Sequence, residues 1–205
     1  MDDEVIEKKV DEEKFVPASL VKRMVAFGMD GVLLFILLQL VFAVYPKLHS
    51  DNSQKEFNRL IHQVSLLGSE ERLDSSSMAK FVKEANLSTQ TYEMLMSMLL
   101  ISCFLPVLYF FCGENFFQGQ TLGKATFGLR TVLLNNFQSP PFGKLLIRST
   151  LKGFASLTLI TPPFRLFFLL NFCFCMFNRQ KRCVHDILSK TITVQAKDIP
   201  SKNDQ

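Results

Sequence analysis

Apolar positions along this chain gather into long runs instead of scattering at helical or strand period. The first run occupies 23–45. Between Met24 and Tyr45 it holds one charge, Asp30, and one further strongly polar group, Gln39. A helix needs about 20 apolar residues to cross a bilayer core, so the run predicts a first transmembrane helix, ended by Pro46. The second run, 94–112, carries no charge and one proline, Pro106. Neighbouring helices can satisfy the carbonyl that such a proline frees. A second span with a kink is predicted there.

The intervening 46–93 is polar, with six Lys/Arg and seven Asp/Glu. Within it Phe57, Leu60, Ile61, Val64 and Leu67 recur at helical spacing. Met78, Phe81, Val82 and Ala85 do so again, after Ser75 to Ser77, which suit an N-cap. The pattern predicts two amphipathic helices forming a hairpin outside the membrane. Asn86-Leu87-Ser88 fits a glycosylation acceptor, a match common by chance.

Beyond the second span, 113–142 is a Gly-containing linker. In 143–178, Lys144, Arg148 and Lys152 are spaced by four and share a helical face, with Leu146, Ile147, Leu151 and Phe154 opposite. This predicts a helix at the membrane interface. Pro162-Pro163 interrupts it, and an apolar stretch runs on to Phe177. Two readings stay open: one kinked third span, or a helical hairpin that returns the chain. The N-tail 1–22 with Arg23, the segment 113–152 and the C-tail hold 16 Lys/Arg, against six in 46–93. Positive residues favour the cytoplasmic side. The hairpin is preferred because it puts 1–22, the linker 113–142 and the basic tail 179–205 in the cytoplasm, with 46–93 opposite. The fold class expected is an all-α membrane protein, a small multi-span helical bundle with an extramembrane helical loop.

Composition narrows the picture further. The 205 residues include 21 Phe and no Trp, and net charge is only +4. That charge is small and dispersed, which excludes a nucleic-acid partner. Cys103, Cys112, Cys173, Cys175 and Cys183 lie mostly in or beside apolar runs, so no secreted disulfide framework is expected.

Three constellations carry candidate chemistry. Asp30 lies seven residues after Arg23, nearly on the same helical face, with Gly28 and Gly31 beside it to admit a neighbouring helix. A carboxylate at that depth costs about 2.5–3.5 kcal/mol on insertion scales, so a compensating partner is required. An ion or proton site is one reading. A packing ion pair with Arg148 or Arg165 is the other. Next, Gly119-Gln120-Thr121-Leu122-Gly123-Lys124, running into Gly128-Leu129-Arg130, resembles a phosphate loop but fails its spacing and has Ala125 after the lysine. It reads as a Gly-punctuated turn whose Lys124 and Arg130 face lipid headgroups. Last, Cys183-Val184-His185-Asp186 has too few ligands at metal spacing and reads as a capped turn with Asp186 on backbone amides or an arginine.

Taken in order these pieces resemble the RDD family of small integral membrane proteins over about residues 20–195. Arg23-Met24-Val25-Ala26 and Asp30 match its opening. Gly119, Gln120, Thr121, Gly123, Lys124, Gly128 and Arg130 match its middle motif, Arg148 its next-helix arginine, and His185-Asp186 its closing pair. Ala125-Thr126 departs from a more basic and aliphatic family pattern. The resemblance implies a multi-pass protein of unsettled role. Transport of a small solute, or cation/proton exchange, has been proposed for the family; a non-transporting scaffold or accessory subunit is the alternative. Arg23, Asp30, Arg148 and Asp186 would form the ion path or a structural charge network. No enzyme activity, metal or cofactor is expected. The expected partners are membrane lipids, a cation or proton, and a second copy or another membrane protein. The expected location is a bacterial inner (plasma) membrane with both termini cytoplasmic.

Overall fold

The computed structural model describes residues 17–69, 87–134, 138–160, 174–178 and 182–198. The second amphipathic helix predicted in 46–93, the glycosylation-like Asn86, the Pro162-Pro163 break and Arg165 lie outside the described residues.

The first apolar run forms α1 (Leu20–Val44), continued by a 3-10 turn Tyr45–Leu48 with Pro46 in its first turn. α2 (Asp51–Ser69) follows. α3 (Thr89–Phe116) begins before and ends beyond the second apolar run, and it stays helical through Pro106. Then come the one-turn α4 (Leu122–Thr126), strand β1 (Leu129–Leu133), α5 (Phe142–Ile160), α6 (Val184–Leu188) and strand β2 (Thr191–Gln195). The chain forms two compact units, 1–34 with 105–205, and 35–104.

α1 and α3, with their immediate extensions, are long and apolar enough to cross a membrane, and only 22% and 17% of their most apolar windows are buried. The core helix of a water-soluble domain would be mostly covered. These helices instead leave apolar side chains such as Val21, Val32, Phe35, Leu99 and Phe104 outward. Arg23, Asp30 and Glu114 point in, while Gln39 and the terminal Lys22 and Glu93 stay exposed. On α1 the buried positions are Arg23, Ala26, Asp30, Leu34 and Leu38, spaced by three or four. Apolar outside and polar inside is the arrangement a lipid solvent selects.

The 35–104 unit is built on a small apolar contact. Phe57 of α2 packs against Met94 and Met98 of α3, with Tyr45 and Leu95 alongside. Glu56 caps the start of α3, accepting from the backbone N–H of Ser88 at 3.0 Å and from its hydroxyl at 2.9 Å.

The 1–34/105–205 unit corrects the all-α expectation. β1 and β2 pair antiparallel, with Thr131 opposite Thr193 and Val132 opposite Ile192. The cause is local. Thr191-Ile192-Thr193-Val194 is four β-branched residues in a row, a composition that favours a pleated strand. Alternation along β2 then sorts them: Ile192 and Val194 pack with Val132, while Thr191 and Thr193 turn toward the charged centre.

Candidate functional site

α5 positions the centre of the site in an unexpected way. Its charged face points inward: Arg148 and Lys152 are 1% and 4% exposed, while Leu146, Ile147 and Phe154 are 44–65% exposed. The sequence expectation of a cationic face at the interface is therefore reversed. What turns the stripe inward is a pair of carboxylates waiting for it, Glu114 and Asp186.

Glu114 sits at the last turn of α3 and is fully buried. Its Oε1 accepts from the ammonium groups of Lys124 and Lys152, each at 2.5 Å, and Arg148 Nε lies 3.0 Å from its Oε2. Lys124 also donates to Thr131 Oγ1 at 2.6 Å. Lys152 lies 5.4 Å from the centroid of the Phe110 ring, within cation–π range. Lys124 is thus a buried ion-pair partner, and the expectation that it contacts lipid headgroups is corrected. Arg130 is spent locally, on the carbonyl of Gln118 at 2.6 Å and its side chain at 2.9 Å.

Asp186 forms the second anionic pole. It pairs with Arg148 Nη1 and lies 3.7 Å from Arg23 Nη1. It also accepts from the Cys183 backbone N–H at 3.3 Å, which ties down the start of α6. Arg148 completes its donors on the threonine face of β2, at Thr191 (2.7 Å) and Thr193 (3.2 Å). Arg23 Nη2 donates to the Thr193 carbonyl at 2.7 Å. One guanidinium thus binds both carboxylates and one strand. Burial by itself would raise the Asp186 carboxyl, but Arg148, His185 and Arg23 outweigh it and hold the group well below the usual range. Asp186 is therefore an anion, and its oxygens are engaged by arginines. Cys183, His185 and Asp186 present ligand atoms within 4.8 Å of one another, yet two guanidiniums at the carboxylate disfavour a further cation there.

Asp30 takes a different partner set. Tyr109 Oη donates to its Oδ1 at 2.7 Å, Thr121 Oγ1 to its Oδ2 at 2.6 Å and the Gly123 N–H to its Oδ1 at 2.8 Å. All three donors are neutral. The expected ion pair with Arg148 is not formed: Arg148 is occupied by Glu114 and Asp186. The middle motif now has a physical reading. Gly119, at φ +87°, lets the chain turn where a Cβ would stand 2.3 Å from the Thr131 carbonyl. Gln120 holds the Leu129 carbonyl at 3.1 Å. Thr121 caps α4 by accepting from the Lys124 N–H while donating to Asp30. Gly123 brings its bare backbone onto α1, where a Cβ would lie 2.1 Å from the Ala26 carbonyl. Gly128, also at positive φ, turns the chain into β1. The motif is a clasp for Asp30 and a bearing for Lys124.

The structure thus joins Arg23, Arg148 and Asp186, as grouped from sequence, but leaves Asp30 to neutral donors. It also adds Glu114 and Tyr109, which sequence reading missed, and Lys152, which it had assigned to the interfacial stripe. The signal for Glu114 was present: a lone acid just past an uncharged run, four residues after Phe110 on the buried face.

His185 is mostly buried beside Asp186. Burial pushes its pKa down to about 3; Asp186 and Glu114 oppose the shift, while Arg148 and Lys152 add to it. The unfolded chain would protonate this imidazole near its ordinary 6.5. Between those values the unfolded state binds the extra proton, so stability should fall as pH drops through that window. The slope is at most one proton, about 1.4 kcal/mol per pH unit. The depressed Asp186 carboxyl adds its loss only below its ordinary 3.8. Thermal unfolding in detergent across this range should show the dependence, and His185→Asn should flatten the part above pH 4. An unchanged slope in the variant would assign the effect to other groups.

Two largely uncovered apolar helices, with Arg23, Asp30 and Glu114 on the inner face, define a helical membrane protein. The chain belongs to the RDD family, whose family model matches residues 17–190. No curated protein and no solved structure matches it.

Proposed function

We propose that this chain acts as a non-transporting membrane scaffold or accessory subunit, with the charge cluster as the lock that gives its 1–34/105–205 unit a single arrangement. The observation that carries this reading is the state of Asp30. Its carboxylate accepts three hydrogen bonds from fixed protein donors. An exchanging cation would have to compete with these donors for the same two oxygens. Glu114 and Asp186 are engaged instead by cations of the protein itself, Lys124, Lys152, Arg148 and Arg23. Buried ionic networks of this kind serve registry better than net stability. The outward apolar surfaces of α1 and α3 are then available to lipid or to another membrane protein.

The experiment is ion flux in proteoliposomes. With an imposed sodium gradient and an internal pH dye, the wild-type protein should match protein-free vesicles. Asp30→Asn should insert normally but unfold more easily, by about 1–3 kcal/mol, the scale of hydrogen bonds to a charged group. A sodium-driven proton movement that disappears in a folded Asp30→Asn variant would overturn the scaffold reading. It would favour the second one, cation/proton exchange. That reading draws support from a cavity of about 40 Å³ that Asp30 lines together with Lys124 and Asp186.

A further inference from the structure

Two thiols stand at the edge of the charge cluster, and the network described above makes no use of their sulfurs. Cys175 is 0% exposed and Cys183 4%, and both are reduced. Their side chains are hydrogen-bonded to each other. Arg23 reaches the same pair through a hydrogen bond to Cys175. Cys103 and Cys112, by contrast, are exposed and half-buried along α3.

A cysteine buried among apolar groups is inert, whereas a guanidinium beside a thiol favours the thiolate, its reactive form. Asp186 opposes that effect on Cys175, but its own charge is engaged by Arg148 and Arg23. A second thiol in contact supplies the group that resolves a first oxidation product into a disulfide. Access comes from the cavity of about 40 Å³, which both Arg23 and Cys183 line. Cys175 touches both of these residues. A single water takes at least about 10–15 Å³ of such space, so hydrogen peroxide, with two oxygens, fits. Glutathione disulfide, a pair of joined tripeptides, does not.

We propose that Cys175 and Cys183 form a reversible dithiol–disulfide site, oxidised by hydrogen peroxide that enters the Arg23-lined cavity. The Cys175 sulfur attacks one peroxide oxygen. The O–O bond breaks, and the departing hydroxide takes up the proton that the thiol gave up, leaving as water. The Cys183 sulfur then attacks the resulting sulfenic sulfur. The S–O bond breaks, and the hydroxyl leaves as a second water with the Cys183 proton. The two sulfurs together give up two electrons, and the peroxide is reduced to two waters. The new bond fastens Cys183, whose N–H holds Asp186. The site goes beyond the scaffold reading and holds whether or not the chain moves ions across a membrane.

The test uses the full-length protein in mild detergent. After peroxide and quenching, the protein is denatured and its thiols are alkylated. The number of alkylated cysteines should fall from five to three and return to five after dithiothreitol. Trypsin cuts at Arg179, Lys181 and Arg182, between the two cysteines, so the bond should appear as a linked pair of peptides. Fragmentation separates Cys175 from its neighbour Cys173. In Cys183→Ser, dimedone should trap a sulfenic acid on Cys175. Glutathione disulfide should leave all five thiols of the folded protein alkylatable. Three results would each overturn the site: no linked pair in the wild type, loss of Cys103 or Cys112 before this pair, or oxidation by glutathione disulfide as fast as by peroxide. The wild-type measurements stand even if Cys183→Ser does not fold. Sodium flux enters none of them, so this proposal and the scaffold reading fail independently.

Discussion

Replacing Arg148 with methionine should unfold the 1–34/105–205 unit more readily than any other single change in this chain. Arg148 is 1% exposed and pairs with both Glu114 and Asp186. It also donates to Thr191 and Thr193. Methionine keeps the length and flexibility of the side chain but leaves Asp186 with Arg23 at 3.7 Å as its remaining arginine. Breaking one partner of a buried pair typically costs about 3–5 kcal/mol. Because two pairs share this one guanidinium, the loss should reach at least that range. In detergent the variant should show a steep fall in unfolding temperature and in yield. The double change Arg148→Met with Asp186→Asn should recover part of it, because the stranded charge is then gone. Recovery is the decisive outcome. If the double variant is as unstable as the single one, the loss came from packing against β2 and not from the carboxylates.

Gly123→Ala should be nearly as damaging, for a reason that has nothing to do with charge. A Cβ at that position would stand 2.1 Å from the Ala26 carbonyl and 2.8 Å from Asp30 Oδ1. Both are on α1, and the first is backbone, so α4 must move away as a unit. That movement lengthens the Gly123 N–H bond to Asp30 and pulls Thr121 off the other oxygen. Overpacking alone costs about 1–3 kcal/mol, and loosening hydrogen bonds to a buried carboxylate adds about 1.5–3 kcal/mol for each bond lost. A loss of about 3–5 kcal/mol is expected. The control is Gly143→Ala in the first turn of α5, where the added methyl meets nothing within 4 Å. That substitution should be neutral or stabilising by about 0.5–1 kcal/mol. Unfolding of both variants beside the wild type checks the contrast. A Gly123→Ala protein as stable as Gly143→Ala would mean that α4 does not rest on α1.

Parts of this site were open to a reader of the sequence and parts were not, and the division follows the range of the interaction. Asp30 is conspicuous because a single acid in an uncharged run has no solvent to explain it. The caps and turns of Gly119, Thr121 and Gly128 are also local, since their chemistry acts within a few residues. Partner choice is another matter. Tyr109, Thr121 and Gly123 reach Asp30 across 79, 91 and 93 residues, and no periodicity encodes such a pairing. Arg148 was available to Asp30 on sequence grounds, yet it went to Glu114 and Asp186. Glu114 was hidden by its position just beyond the apolar run, where a helix was taken to end; α3 continues to Phe116 and carries the acid inside. The direction of the α5 stripe was misread for a related reason. In water a row of cations marks the outer face of a helix. Beside lipid it marks whichever face finds carboxylates.

By itself, then, the sequence determined two apolar helices long enough for a bilayer, the lone acid within the first, and the family to which the chain belongs. These follow from hydrocarbon thickness and from the high free energy of charge in it, both properties of the residues and their solvent. Only the tertiary structure decided that Asp30 rests on neutral donors, that Arg148 binds two carboxylates, and that β1 and β2 present threonines to it. A buried charge is stabilised by geometry within a few ångströms, and that geometry exists only once distant segments have met.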